Sequence, residues 1–459
     1  MEPRTLQYIS QACAAELLTG RAETWVTRVT TDSRAARAGD LFVALRGPRF
    51  DGHAFLEQVA QQGATAALVE RASRARIPPG LTALVVANTR EALGRLGACY
   101  RRDFTLPVVA VAGSNGKSTT KELIAAVLAR RFRVLHSPAS FNNDIGVPQT
   151  LLELEQAHQA AVLEAGTNHP GELAPLVAMI QPRFGVLTGL GREHLEFFGD
   201  LAGVAAEEGA LAEGLPSDGR LFLHAQGDLI ETVARRARAP VVRVGWDATH
   251  DWTLTRWQAD AAGSDFTVRA PGADFSGEYR LNLLGRHQLT NALLAIAVGA
   301  ELGLKADEIR LGLSECRPLK MRLQSWEWCG VRVLDDSYNA NADSMLAALE
   351  TLRDLPCAGR RWAVLGDMAE LGEATAAAHT EVGRRAAQCG LHRLVVVGAM
   401  GAVTGAAARE AGLAEVEVCG NADEAARLLR SLATSGDVVL LKASRSSGLE
   451  RVGEALRAD

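Results

Sequence analysis

A run of small apolar residues, Val108-Val109-Ala110-Val111-Ala112, breaks directly into Gly113-Ser114-Asn115-Gly116-Lys117-Ser118-Thr119. It then enters a segment with Leu123, Ile124, Val127 and Leu128 at helical spacing. Strand, glycine loop and helix in immediate succession fit a parallel sheet flanked by helices. The loop also has a chemistry. Glycines let backbone N–H groups converge on an anion, and a helix start adds partial positive charge. Lys117 can reach terminal phosphates, and the Ser118 hydroxyl can ligate Mg²⁺. The long form G-x-x-x-x-G-K-S/T is not met, because Val111 stands where its first glycine would be. What remains, G-x-x-G-K-S in the correct strand–helix context, is read as a nucleotide-phosphate loop.

The rest of the chain agrees with an α/β class. LFVAL (41–45), AALVE (66–70) and ALVVA (83–87) predict the strands of a small mixed α/β N-terminal domain, 1–86. A helix at 89–102 leads into the loop strand, and RVLHS, AAVLEAG, FGVLTG, LFLHA and VVRVGW follow, alternating with helical segments. They predict a central ATP-binding domain with a mostly parallel sheet, 87–315, with antiparallel hairpins at 246–284 before a helix at 289–302. Arg317-Pro318-Leu319-Lys320 reads as a linker. VRVLDD, RWAVLGD, RLVVVG and DVVLLKAS then predict a C-terminal Rossmann-like domain, 316–459. Three domains suit 459 residues at roughly 150 per domain. The G-A-M-G-A-V-T-G run at 398–405 does not fit G-x-G-x-x-G and is read as a glycine-rich turn.

Composition removes several function classes. With 49 Lys+Arg against 54 Asp+Glu, the net charge of −5 argues against a polyanion-wrapping surface, so no nucleic-acid partner is expected. No apolar run approaches the roughly 18 residues of a membrane span, so no membrane insertion is expected. The first residues lack a basic start and an apolar core, and no signal peptide is expected. Seven scattered cysteines without a C-x-x-C pair suit a reducing compartment. The expected location is the cytoplasm.

Acidic and histidine partners are sought for a hard cation. Glu164 ends the AAVLEAG strand, where a carboxylate would stand beside the phosphates. His194 follows the strand GVLTG. Glu208 falls inside the apolar stripe Leu201, Val204, Leu211 and Leu215, while Glu207 falls at its edge. A carboxylate on an apolar face is costly unless paired or metal-bound, which singles out Glu208.

These residues resemble the ATP-dependent Mur ligases of peptidoglycan synthesis over nearly the whole chain. GSNGKSTTKE matches the family's short phosphate loop, SFNNDIGVPQTLL (140–152) its N-x-N-N-x-x-G-x-P segment, and GRHQLTNALLA (285–295) its G-x-H-N-x-x-N-A helix. TDSRAARAGDLFVALRGPRFDGHAF (31–55), VLDDSYNANADSMLAAL (333–349) and VLGDMAELG (364–372) are similar to the member that adds D-Ala-D-Ala to UDP-MurNAc-tripeptide. The resemblance implies ATP and Mg²⁺ as cofactors, an acyl-phosphate intermediate and a monomeric enzyme.

By position, Gly113 to Thr119 would hold the nucleotide phosphates, with Lys117 on the β/γ-phosphates. Ser118 and Glu164 would bind one Mg²⁺, and His194 would help bind a second. Asn291, Asp336 and Arg322 would contact the nucleotide. Ser33, Arg34, Asp51, Gly52 and His53 resemble the uridine-nucleotide end, and Asn142 and Asn143 the muramoyl-peptide channel. Tyr338, Asn339, Asn341, Asp343, Lys442 and Arg445 would serve the peptide and dipeptide end.

Relatives often carry a CO₂-modified lysine in the helix after the histidine. No lysine stands between Leu201 and Leu215, and Glu208, with Glu207 as the alternative, occupies that place. Glu208 is therefore expected to replace the carbamate. The family's T-N-x-G-x-A-H reads here Thr188-Gly189-Leu190-Gly191-Arg192-Glu193-His194, with an added arginine. Folylpolyglutamate synthases share the phosphate loop but lack a TDSR…DGH unit. A catalytically idle regulator would be expected to have lost Lys117, Glu164 or His194. Lys117→Ala is expected to abolish ATP turnover while sparing the fold, the loop being read as a surface loop.

Overall fold

A computed structural model describes residues 1–458. Its three principal sheets follow one another along the chain. The first has the order Glu16–Leu17, Ala83–Val86, Ala66–Glu70, Asp40–Val43, Arg28–Thr30; its last four strands are mutually parallel. The second has nine strands. Val134–His136, Ala160–Glu164, Val108–Ala112, Phe184–Leu187, Arg220–His224 and Val241–Gly245 run parallel. Trp252–Ala259 continues in parallel, then Ser264–Arg269 and Gly277–Leu281 form the antiparallel end. The third sheet has the order Gln324–Trp328, Val331–Asp336, Val438–Lys442, Arg361–Leu365, Arg393–Val397, Val416–Cys419.

Both edge strands of the third sheet lie outside the sequence expectation. Gln324–Trp328 pairs antiparallel with Val331–Asp336, and Val416–Cys419 pairs with Arg393–Val397. An edge strand has one neighbour and a wetter face, so QSWEW and VEVC carry no continuous apolar run. The run at 398–405 is a turn only to Met400. A helix begins at Gly401, and the Asp367 carboxylate accepts from the Ala399 and Met400 amides ahead of it.

The sheets are joined unequally. One apolar cluster runs from Leu6, Leu41 and Leu68 of the first unit through Leu93 and Leu96 to Ala110, Leu163 and Leu221 of the second. The third sheet buries its two faces in separate clusters, around Leu349 and Leu440 on one side and Trp362 and Leu441 on the other. The carboxyl ends of Val331–Asp336 and Val438–Lys442 are turned toward the phosphate loop of the second sheet, which brings two strand-end regions into one cleft. Among the described residues, no helix is long and apolar enough to cross a membrane.

Candidate active site

Val111 is still in the sheet ladder, opposite Glu164 and Val186. That explains the missing first glycine: the loop starts two residues later. Gly113 has φ +115°, and a Cβ there would stand 2.5 Å from Thr188 Oγ1. Gly116, at φ +84°, is the cap of the helix Lys117–Leu128, and a Cβ there would meet Asn291 Oδ1 at 2.7 Å. No side chain caps that helix, so its first N–H groups face the cleft as an anion site.

Lys117 is not on an open surface. Its Nζ donates to the Gly113 carbonyl at 2.5 Å and to Glu193 Oε2 at 3.3 Å. Burial pushes its ammonium down, but Glu193, Glu208 and Glu164 outweigh burial and hold it above the usual lysine range. Glu193, one residue before the expected His194, is the partner that sequence reasoning passed over. It lies in irregular chain, where periodicity assigns no face. Burial raises its carboxyl despite the nearby Lys117 charge.

Glu208 is buried in the helix Leu201–Glu213, as its place in the apolar stripe implies, though Leu201 at the start of that stripe is exposed. Burial pushes the Glu208 carboxyl up to about 8, against the pull of Lys117 and with a further push from Glu193; the Gly113 amide leans toward it without reaching hydrogen-bond geometry. Glu207 has a different task. Its carboxylate accepts from the Gly171 and Leu173 amides, both at 2.7 Å, and fixes the chain leading into the helix Leu173–Ile180.

Glu164 Oε1 accepts from Asn142 Nδ2 at 2.9 Å, while its Oε2 has no partner. Glu193 Oε1 and both oxygens of Glu208 are likewise buried and unpartnered. Four orphaned carboxylate oxygens around a lysine fit a divalent cation. Among the described residues no three His, Cys, Asp or Glu side chains form a cage by themselves. Mg²⁺ is usually held by one or two carboxylates together with substrate phosphates, so the two facts agree. His194, at φ +49°, turns Nδ1 to Glu370 and leaves Nε2 toward Glu193, 3.9 Å away. A carboxylate on one ring nitrogen fixes the tautomer that frees the other for a metal.

The expected nucleotide and peptide residues line one cavity of about 2440 Å³. Its wall holds Ser114 to Thr119, Asn142, Asn143, Glu164, His194, Asn291, Arg322, Asp336, Tyr338, Asn339, Asn341, Asp343, Lys442 and Arg445. Gly113 and Glu208 are not part of that wall. Arg322 donates to Ser118 Oγ at 3.2 Å and lies over the Tyr338 ring at 4.3 Å. Lys442 donates to Asp336 at 2.6 Å and to the Asn339 carbonyl. Asn143 accepts from the Ile145 and Gly146 amides, a turn role. Asp343 has both oxygens engaged by Arg192. Sequence reasoning also missed Trp246, Arg286 and His224 in this wall; Arg286 sits 4.2 Å over the Trp246 ring, and burial pushes His224 down to about 4.

The N-terminal set lies apart from this cavity. Ser33 and Arg34 form a short turn capped by Asp32. His53 is buried, with Nδ1 2.6 Å from Asp51 and Nε2 accepting from the Glu70 amide, so this pair shapes the loop around Gly52.

Three family models match the chain in succession: the "Mur ligase family, catalytic domain" over residues 26–101, the "Mur ligase middle domain" over 111–299, and the "Mur ligase, glutamate ligase domain" over 321–445. The UDP-N-acetylmuramoyl-tripeptide–D-alanyl-D-alanine ligase of Escherichia coli is 38% identical over 443 residues, covering 95% of each chain. The chain belongs to the Mur ligase family. Among solved structures, MurF from Acinetobacter baumannii matches this Mur ligase with a TM-score of 0.90, at 31% identity and full coverage of both chains. MurF ligase from Thermotoga maritima in complex with ADP matches with a TM-score of 0.82, at 28% identity, covering 94% of this chain and 97% of that one.

Proposed function

We propose that this Mur ligase joins D-alanyl-D-alanine to UDP-N-acetylmuramoyl-tripeptide through an acyl phosphate, giving the UDP-linked pentapeptide, ADP and phosphate. The observation that carries this reading is the shared cleft. A site for one small ligand measures about 300–1,000 Å³. The cavity here is about 2440 Å³ and runs from the phosphate loop to the strand ends of the third sheet. It has room for a nucleotide beside a peptide.

A carboxylate attacking a γ-phosphate brings two anions together, so the site must supply positive charge. Lys117, Arg322, Lys442 and Arg445 line the cavity and do so. Ser118 and Glu164 would hold one Mg²⁺, and His194 a second with Glu208 as a built-in carboxylate. When bound, Mg²⁺ supplies charge neutralisation and orientation of phosphate oxygens. Gly113 to Thr119 and Asn291 shape the nucleotide end, with Asp336 positioned by Lys442. Asn142 and Asn143 border the muramoyl-peptide path, and Tyr338, Asn339 and Asn341 the dipeptide end. Ser33, Arg34 and Gly52 serve the uridine nucleotide, with Asp51 and His53 holding that loop. The same reading includes a monomer in the cytoplasm and domain boundaries at 86/87 and 315/316.

The test is phosphate release from ATP with UDP-MurNAc-tripeptide, with and without D-Ala-D-Ala, and the product followed by mass. Release that needs both substrates and yields the pentapeptide supports the reading. ATP binding without turnover on any UDP-peptide, folate or amino acid would refute it.

A further inference from the structure

The second and third sheets meet through polar groups. Tyr338 donates to Ser140 Oγ at 2.9 Å, Asn341 Nδ2 to Asn115 Oδ1 at 2.9 Å, and Arg322 to Ser118 Oγ at 3.2 Å. Of the described residues before 316, Leu284 joins an apolar cluster of the third sheet. Units joined by polar contacts move relative to one another unless something holds them.

Arg192 makes the most extensive of these bridges. Its backbone N–H donates to Asp343 Oδ2 at 2.7 Å and its Nε to Asp343 Oδ1 at 2.8 Å. Its Nη1 donates to Glu381 Oε2 at 2.6 Å. The two carboxylates stand on different helices of the third unit, Ala342–Asp354 and Thr375–Gln388. The planar guanidinium presents a rigid fork of donors to both carboxylates at once, a geometry that a point-like ammonium reproduces only in part.

The neighbours of Arg192 face the other way. Gly191 N–H donates to Ser114 Oγ at 2.8 Å, and Glu193 pairs with Lys117. A Cβ at position 191 would stand 2.8 Å from both Asn115 Nδ2 and Asp343 Oδ2, so glycine is what lets the phosphate loop and the third unit close on one turn.

We propose that Arg192 is a positioning residue for the ligation: by bridging Asp343 and Glu381 it holds the third unit over the phosphate loop. Only the kinetic arm of the test rests on the proposed reaction. Small-angle scattering of the full chain without substrates should give a larger radius of gyration for Arg192→Ala than for the parent. In the assay above, kcat of Arg192→Ala should fall roughly ten- to a hundredfold, the scale of a misplaced reacting group. Arg192→Lys should recover part of kcat, and adding Glu381→Gln to Arg192→Ala should slow it no further. An unchanged radius of gyration overturns the proposal even if the parent proves inactive on these substrates. A larger radius with unchanged kcat also overturns it. So does a lower melting temperature with normal turnover per folded molecule, which would make Arg192 a purely structural residue.

Discussion

Lys117 Nζ stands 3.3 Å from Glu193 Oε2 and 2.5 Å from the carbonyl of Gly113, so the phosphate-loop lysine is folded back on its own loop. An incoming phosphate must take Lys117 from Glu193. Removing that carboxylate's charge takes away both the competitor and a like charge beside the phosphates. Glu193→Gln should therefore bind ADP more tightly in EDTA, by about three- to tenfold, or roughly 1 kcal/mol. Calorimetry decides it. Unchanged or weaker binding would show that Glu193 does not compete.

The same pair alters the expectation for Lys117→Ala. Turnover should be lost, yet the fold should not be untouched, because Glu193 and Glu208 are both buried around that ammonium. Leaving a buried charge without its partner costs about 3–5 kcal/mol, less whatever protonation relieves. Urea unfolding at pH 8 should show Lys117→Ala destabilised and the Lys117→Ala, Glu193→Gln double variant largely recovered. Equal stability of all three would remove the coupling.

Glu208 leads to a separate expectation. A carboxylate already present in the chain needs no CO₂, so activity should be the same in bicarbonate-free buffer as with added bicarbonate. Glu208→Gln keeps the shape and loses the charge, and its kcat should fall roughly a hundredfold, on the scale of losing one charge-stabilising group. A Glu208→Gln enzyme with normal turnover and normal Mg²⁺ dependence would falsify the assignment.

Much of this was legible in the sequence because its signals are local. The turn at Gly113 and Gly116 is written in glycines, and Glu208 betrays itself by lying in an apolar stripe. Parallel strands buried on both faces, such as Val108–Ala112, read as unbroken apolar runs. What escaped was tertiary. Glu193 and Arg192 sit in a stretch without periodicity, and their partners Lys117, Asp343 and Glu381 lie 76, 151 and 189 residues away in sequence. Asp343, placed at the dipeptide end by resemblance, is engaged by an arginine whose importance no local pattern announces. The edge strands were missed for the opposite reason, since half-wet strands carry weak patterns.

Asp437 provides a pH test away from the cleft. Its buried carboxylate accepts from the Arg360 amide at 2.8 Å, Arg360 Nη2 at 2.8 Å, the Thr434 amide at 3.0 Å and Trp362 Nε1 at 3.0 Å. Burial alone would raise its pKa, but the Arg360 guanidinium and the backbone donors more than offset this and hold it below the usual carboxylate range. The unfolded chain then takes up a proton at a higher pH than the folded one. The stabilisation is complete above the unfolded value of about 3.9 and is lost as pH falls through the folded value. Asp437→Asn should cost about 2 kcal/mol at pH 7, the scale of hydrogen bonds to a charged group. That difference should hold at pH 5 and shrink as the pH falls below about 4. Urea unfolding of both proteins across this range is the check, and a difference that stays constant down to pH 3 would mean the carboxylate's charge contributes nothing.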